Sequence, residues 1–257
     1  RFSDAEICYR KARAINPIFA SAHYNLGKIL KTNEASPRSP LEESENCFRM
    51  AIEIKPDFAE AHNNLGNILK NLGKIDAAEA SYRKAIELKP DFAEAHNNIG
   101  NLFHDLGKLE YAEKSYREAI SIFPEYYEAI NNLGANLRDL GKLNEAELIC
   151  RKAIILNPKY SMTYRNLGII LFTNGDIVSA IDIVEKGFEI NPQSKDIKFL
   201  LAILKSRLSR SSSAKTLGNF REHSNFVKLS SNPLILNRPV EPDLISSIYK
   251  LKALELD

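Results

Sequence analysis

Asparagine recurs along this chain at an interval that could build a binding surface. Five residues, which we call the ladder asparagines, mark it, and the last four are 34 residues apart: Asn25, Asn64, Asn98, Asn132 and Asn166. A side-chain amide offers one acceptor oxygen and two donor hydrogens. It can therefore pair with both the C=O and the N–H of a polypeptide backbone, whatever side chains that polypeptide carries. The spacing predicts evenly placed groups that read a peptide backbone.

Further amides and charges lie beside the ladder. The preceding asparagines (Asn63, Asn97, Asn131) and the following asparagines (Asn67, Asn101) widen the predicted amide surface. A basic stripe comes one helical turn later, at Lys31, Lys70, His104 and Arg138. It is expected either to attract acidic ligand side chains or to be solvated charge at the negative ends of helices. Glutamates at positions 60, 94 and 128 recur near helix starts, where a carboxylate suits the helix dipole.

No residue set in the sequence has the spacing of a catalytic, cofactor or metal site. His23, His62 and His96 fall on separate helices, whereas zinc ligands must meet within about 2.0–2.1 Å of one ion. Phosphate-loop, GxSxG, HExxH and kinase motifs are absent. The three cysteines lack a CxxC pair, which indicates free thiols in a reducing, cytoplasmic setting. We therefore predict a non-catalytic chain without cofactor or metal.

The elements that position these residues follow from the prolines. Pro56, Pro90, Pro124, Pro158 and Pro192 are 34 residues apart. Between two of them, residues 59–72 carry apolar side chains at three- and four-residue steps, and residues 74–88 do so again after Gly73. The pattern predicts helix, glycine turn, helix, proline turn. Glycine in each first helix and alanine in each second helix predict close packing within a pair.

In these registers the chain resembles the tetratricopeptide repeat (TPR) family. The matching frame is His62, Leu65, Gly66, Leu69, Ala78, Tyr82, Ala85 and Pro90. One departure is that the tryptophan position of the frame holds His23, His62, His96, Ile130 and Tyr164. The resemblance implies an all-α, right-handed superhelix, or solenoid, over residues 1–208. It also implies that the first helices line a concave groove, where partners bind as extended peptides.

The NNLG segments are further similar to the repeats of the nucleocytoplasmic O-linked N-acetylglucosamine transferase family. In that family asparagines of this register line the inner surface and hold substrate polypeptide, which the resemblance carries over to the ladder asparagines alone. Nothing in the chain matches that family's transferase domain, so no transfer activity is implied. A second interpretation remains open: the ladder amides bond to the adjacent helix and set the superhelical twist. The two roles are compatible.

Both ends of the sequence depart from the repeat. The chain begins in second-helix registers, at Phe2, Ala5, Tyr9 and Ala12, which predicts a half repeat with an open apolar edge able to self-associate. Five extra residues, Glu34–Arg38, predict a loop. We expect a cap helix at 194–208, a serine-rich linker at 209–218 and a short mixed tail at 219–257. The tail either opens a downstream domain or folds back on the array.

Composition narrows the class of partner. A net charge of +2 over 257 residues gives no broad basic field, so nucleic acid is not the expected partner. The apolar runs are too short for a membrane span. We predict a protein-interaction scaffold that binds an extended polypeptide in its groove. The alternative is the substrate-recruiting part of a larger enzyme, a glycosyltransferase, sulfotransferase or oxygenase, whose catalytic domain lies beyond Asp257.

Overall fold

The computed structural model describes residues 4–31 and 39–218, and this part of the chain is all α-helical. The helices are α1 (Asp4–Ile15), α2 (Ala20–Lys31), α3 (Ser39–Ile54), α4 (Ala59–Asn71), α5 (Ile75–Leu88), α6 (Ala93–Asp105), α7 (Leu109–Ile122), α8 (Tyr127–Asp139), α9 (Leu143–Leu156), α10 (Ser161–Thr173), α11 (Ile177–Ile190) and α12 (Lys195–Gly218). The predicted loop at Glu34–Arg38, Phe2 and the tail 219–257 lie outside the described residues. Over residues 4–218 apart from 32–38, no helix is long and apolar enough to cross a membrane.

The chain divides into two compact units between Leu140 and Gly141. In unit 1 (α1–α8), α2 packs on α3, α4 on α5 and α6 on α7, while α1 packs on α2. Unit 2 contains α9–α12, with α10 paired to α11, α9 packed on α10, and α12 packed on both members of that pair. Each unit is therefore a run of helix pairs, as the 34-residue period predicts.

In unit 1 the first helices of successive pairs lie closer together than the second helices do. Helix α2 contacts α4, α4 contacts α6, and α6 contacts α8. Among the described residues, no such contact joins the second helices α3 and α5, or α5 and α7. Unit 1 is therefore concave on the side of its first helices, which is the side that carries the ladder asparagines.

A glycine turn joins the helices of three pairs, α4–α5, α6–α7 and α10–α11. Gly73 has φ +75°, a left-handed conformation that costs glycine little. Its N–H donates to the C=O of Lys70, and the N–H of Lys74 donates to the C=O of Leu69 at 2.8 Å. This is a Schellman turn, which satisfies the last carbonyls of α4. The turn reverses the chain, so α5 packs back along α4.

Glycine also lets the two helices of a pair approach. A Cβ atom at Gly66 would lie 2.6 Å from the ring of Tyr82, and one at Gly100 would lie 2.8 Å from that of Tyr116. Both tyrosines are almost fully buried, at 0% and 2% exposed. The repeated glycine therefore makes room for a large side chain from the second helix, as the close-packing prediction requires.

The histidines of the tryptophan position tie three first helices, α2, α4 and α6, to the turns before them. Nε2 of His23, His62 and His96 lies 2.9, 3.1 and 3.0 Å from the carbonyl oxygen of Pro17, Pro56 and Pro90. Burial lowers the pKa of His62, so its neutral imidazole donates this bond. In unit 2 the Tyr164 hydroxyl donates to the Pro158 carbonyl at 2.9 Å. Four of the described repeats therefore contain a clasp, a side-chain hydrogen bond to the proline carbonyl six positions earlier.

Helix α12 continues beyond the predicted cap helix. It runs from Lys195 to Gly218, so residues 209–218, expected from composition to be a linker, are helical in the structure. Alanine, lysine and leucine are good helix formers and serine is tolerated. No proline or glycine interrupts the segment before Gly218, so nothing in it ends the helix earlier.

Candidate polypeptide-binding surface

The ladder asparagines lie on successive first helices, α2, α4, α6, α8 and α10. The four in unit 1 are half-buried, whereas Asn166 in unit 2 is only 6% exposed and its Oδ1 accepts from Arg165. The amide surface is therefore most accessible in unit 1.

The preceding asparagines do not widen that surface. Asn63, Asn97 and Asn131 are 1%, 5% and 4% exposed. Asn63 and Asn97 occupy the joints α4–α6 and α6–α8, because the position one residue before a ladder asparagine is turned about 100° around the helix. In the structure all three are hydrogen-bond partners of the ladder amides.

Hydrogen bonds join the ladder asparagines to the first helix before them. Nδ2 of Asn98 donates to Oδ1 of Asn63 at 3.0 Å, and Nδ2 of Asn132 donates to Oδ1 of Asn97 at 3.1 Å. These amides therefore hold α4 to α6 and α6 to α8. Such bonds are what the twist-setting interpretation expects, and both amides remain only half-buried.

Asn64 is held by different acceptors. Its Nδ2 donates to the backbone carbonyl of Glu60 at 3.0 Å and to the hydroxyl of Tyr24 at 3.1 Å. Tyr24 stands where later repeats have a preceding asparagine, and its ring packs against Phe58 with centroids 4.7 Å apart. Both hydrogens of the Asn64 amide are therefore used inside the protein.

The following asparagines have the opposite orientation. The Tyr82 hydroxyl donates to Oδ1 of Asn67 at 2.7 Å, and the Tyr116 hydroxyl donates to Oδ1 of Asn101 at 2.8 Å. Each tyrosine reaches from a second helix across the repeated glycine. This contact was not predicted from the sequence, although glycine, asparagine and tyrosine recur together in two repeats and could have suggested it.

The basic stripe is paired with aspartates that the sequence analysis did not single out. Nζ of Lys70 lies 2.6 Å from Asp105, Nε2 of His104 lies 2.9 Å from Asp139, and Arg138 lies 2.7 Å from Asp139. The carboxylates of Asp105 and Asp139 raise the pKa of His104 to about 9, so it is charged at neutral pH. The side chain of Lys31 lies outside the description. The stripe is therefore a set of ion pairs, two of which link successive first helices.

Two clefts open on the other face of unit 1, between successive second helices. Their volumes are about 400 and 490 Å³. Their floors include His62 and His96, whose Nε2 atoms are already bonded to proline carbonyls. Within the described residues, no group of three or more His, Cys, Asp or Glu could hold a metal ion.

Family models match the middle of the chain. Residues 66–107 match a model of the TPR repeat, and residues 47–80, 93–126 and 128–157 match three models of the tetratricopeptide repeat. No curated protein sequence matches the chain. The similarity to O-linked N-acetylglucosamine transferase repeats stays a prediction from the NNLG residues.

Solved structures share the fold. YrrB, a TPR protein with an unusual peptide-binding site, is 19% identical over 77% of this chain and 97% of its own, with a TM-score of 0.57. Pseudomonas aeruginosa pilF is 22% identical over 77% and 88%, with a TM-score of 0.64. TTC0263, a thermophilic TPR protein from Thermus thermophilus, is 18% identical over 72% and 98%, with a TM-score of 0.61.

These matches are to repeat families, and none is to a catalytic family. Stacked repeats of this kind create extended surfaces that bind other proteins. The chain thus contains tetratricopeptide repeats over residues 47–126 and 128–157, and it is a protein-interaction scaffold.

Proposed function

We propose that unit 1 binds an extended polypeptide segment along the concave face formed by α2, α4, α6 and α8. One observation carries the proposal: three of the ladder amides on this face, Asn64, Asn98 and Asn132, are half-buried and held by the protein through their nitrogens. Among the described residues, Oδ1 of Asn64 and Oδ1 of Asn98 have no donor in the protein. An amide N–H of a bound backbone would supply it.

The spacing of the ladder asparagines suits an extended polypeptide ligand. Packed helices lie about 8–10 Å apart, and an extended backbone advances about 3.3 Å per residue. A ladder asparagine would therefore contact about every third residue of the ligand. Because the contacts are to backbone atoms, this surface selects an accessible, extended segment more than a particular sequence.

The basic stripe and its paired aspartates influence which ligand segments can bind. Since Lys70, His104 and Arg138 are paired with Asp105 and Asp139, the end of the groove has both signs of charge. An acidic ligand side chain would have to compete with an aspartate already in place. We therefore assign the amides the main role and the ion pairs a secondary one.

The proposal is tested with a peptide selected from a random 12-residue phage library on the whole chain. Backbone amide NMR signals should shift on α4, α6 and α8 when this peptide is added. Ser81 and Ser115, which line the clefts on the opposite face, serve as control positions. Failure to select any peptide, or shifts confined to those clefts, would overturn the proposal.

Two further predictions about context remain open. The exposed Cys8 and the buried Cys47 and Cys150 are not joined by disulfides, which suits the reducing cytoplasm that we propose. The alternative function, substrate recruitment for an enzyme domain beyond Asp257, would use the same concave face. It is distinguished by the gene sequence beyond that residue.

A further inference from the structure

We infer that the proposed groove has a fixed hydrogen-bonding polarity, which Glu94, Tyr82 and Tyr116 determine. Asn64 and Asn98 turn their amide oxygens to the groove and form the oxygen column. Asn67 and Asn101 turn their amide nitrogens to it and form the nitrogen column. The inference rests on the proposed function and names its ligand more closely: an extended segment with free backbone N–H groups, as opposed to a proline-rich one.

The orientation of the oxygen column is determined by a group that can accept hydrogen bonds but cannot donate them. A carboxylate only accepts hydrogen bonds, and Oε1 of Glu94 receives one from Nδ2 of Asn63 at 3.0 Å. The Asn63 amide must then turn its oxygen to Asn98, which donates to it from Nδ2 at 3.0 Å. Asn98 is left with its oxygen toward the groove.

Asn64 reaches the same orientation independently. One of its Nδ2 hydrogens goes to the backbone carbonyl of Glu60, another group that only accepts. Its Oδ1 therefore faces the same way as that of Asn98 in the next repeat. Two successive ladder asparagines therefore present amide oxygens, which are hydrogen-bond acceptors, to the groove.

The nitrogen column is set from the second helices. Burial raises the pKa of the Tyr82 and Tyr116 hydroxyls, which keeps them protonated and able to donate. They donate to Asn67 and Asn101, and Oδ1 of Asn101 also accepts from Asn132 at 3.0 Å. Both lone pairs of that oxygen are filled, so the hydrogens of its amide nitrogen remain for a ligand.

The two columns are adjacent on each helix. Asn64 and Asn67 are three residues apart, as are Asn98 and Asn101, and side chains at that spacing are neighbours on a helix surface. An extended residue offers its N–H and C=O on the same edge of the backbone. Its N–H would meet the oxygen of Asn98 while its C=O meets the nitrogen of Asn101. A chain of prolines has no N–H to give.

Glutamates in the same register provide a matched control. Glu94→Gln replaces a carboxylate, which can only accept, by an amide that can present either its oxygen or its nitrogen to Asn63. Glu94→Asp keeps a carboxylate. Glu128→Gln makes the same change of charge one repeat later. No described side chain donates a hydrogen bond to Glu128 in the structure, so this variant should leave the polarity unchanged.

The first measurement needs no ligand. We expect side-chain NH₂ protons of Asn64 and Asn98 to exchange with water at least about fivefold more slowly than those of Asn67 and Asn101. Glu94→Gln should speed exchange at Asn98, and Glu94→Asp and Glu128→Gln should not. Equal exchange of the two columns would overturn the inference and leave the proposed peptide binding intact.

The second measurement uses the peptide selected on the whole chain. N-methylation of single backbone nitrogens should weaken binding about fivefold or more at positions facing the oxygen column. Glu94→Gln should weaken the parent peptide similarly but add little to the methylated one. A peptide that binds the concave face yet is insensitive to every N-methyl group would refute the polarity alone.

Discussion

The ring of Tyr82 occupies the space in which Gly66 would carry a side chain, 2.6 Å from the position of the missing Cβ. This approach brings the second helix close enough for the tyrosine hydroxyl to reach Asn67 on the first. A packing feature and a feature of the proposed binding surface therefore depend on the same glycine.

Replacing that glycine should destabilise unit 1. We expect Gly66→Ala to overpack the pair at a cost of about 1–3 kcal/mol, offset by about 1 kcal/mol of better helix propensity. The free energy of unfolding from denaturant titration should thus fall by up to about 2 kcal/mol. Asn71→Ala, on the exposed end of α4, is the control. If Gly66→Ala is as stable as the wild type, the contact is not close.

The ladder asparagines should contribute to stability as well as to binding. Asn98→Ala removes the donor to Oδ1 of buried Asn63, and an unsatisfied buried acceptor costs about 1–3 kcal/mol. We expect a lower melting temperature for this variant. Asn25→Ala, at a ladder position for which the described structure has no side-chain bond, should melt close to the wild type. Similar melting of the two variants would contradict the bond between helices.

His104 should make stability depend on pH. Its pKa is about 9 in the folded chain, against 6.5 for an ordinary histidine. A raised pKa stabilises the fold fully below pH 6.5, and this contribution is lost as the pH rises toward 9. The stability difference between the wild type and His104→Gln should shrink over that window. NMR titration checks it directly, since a midpoint near 6.5 for His104 would refute the ion pairs.

Self-association through the N-terminal half repeat remains a prediction. Tyr9, one of the residues expected at the open edge, packs against Leu26, Leu30 and Cys47. Exposed apolar side chains lie nearby instead, with Ile15 at 84% and Ile18 at 75%. We expect the light-scattering mass to rise with concentration and Ile15→Ser with Ile18→Ser to suppress the rise. A constant monomer mass for the wild type would exclude the interaction.

Local patterns predicted the helices well. Residues 59–72 and 74–88 were expected to be helical, and α4 and α5 cover nearly the same ranges, because apolar periodicity and Gly73 act within one repeat. Contacts between repeats were harder to predict. The burial of Asn63 and the pairing of Lys70 with Asp105 depend on how far one helix turns against the next, which a single sequence does not specify.

The clasp between histidine and the proline carbonyl has a practical consequence for building new proteins. Both of its groups lie within one stretch of seven residues, as His62 and Pro56 illustrate. A repeat cut from this chain and inserted into another array would therefore keep its own entry turn. In this respect the four repeats with the clasp need no residue of a new neighbour to form their entry turn.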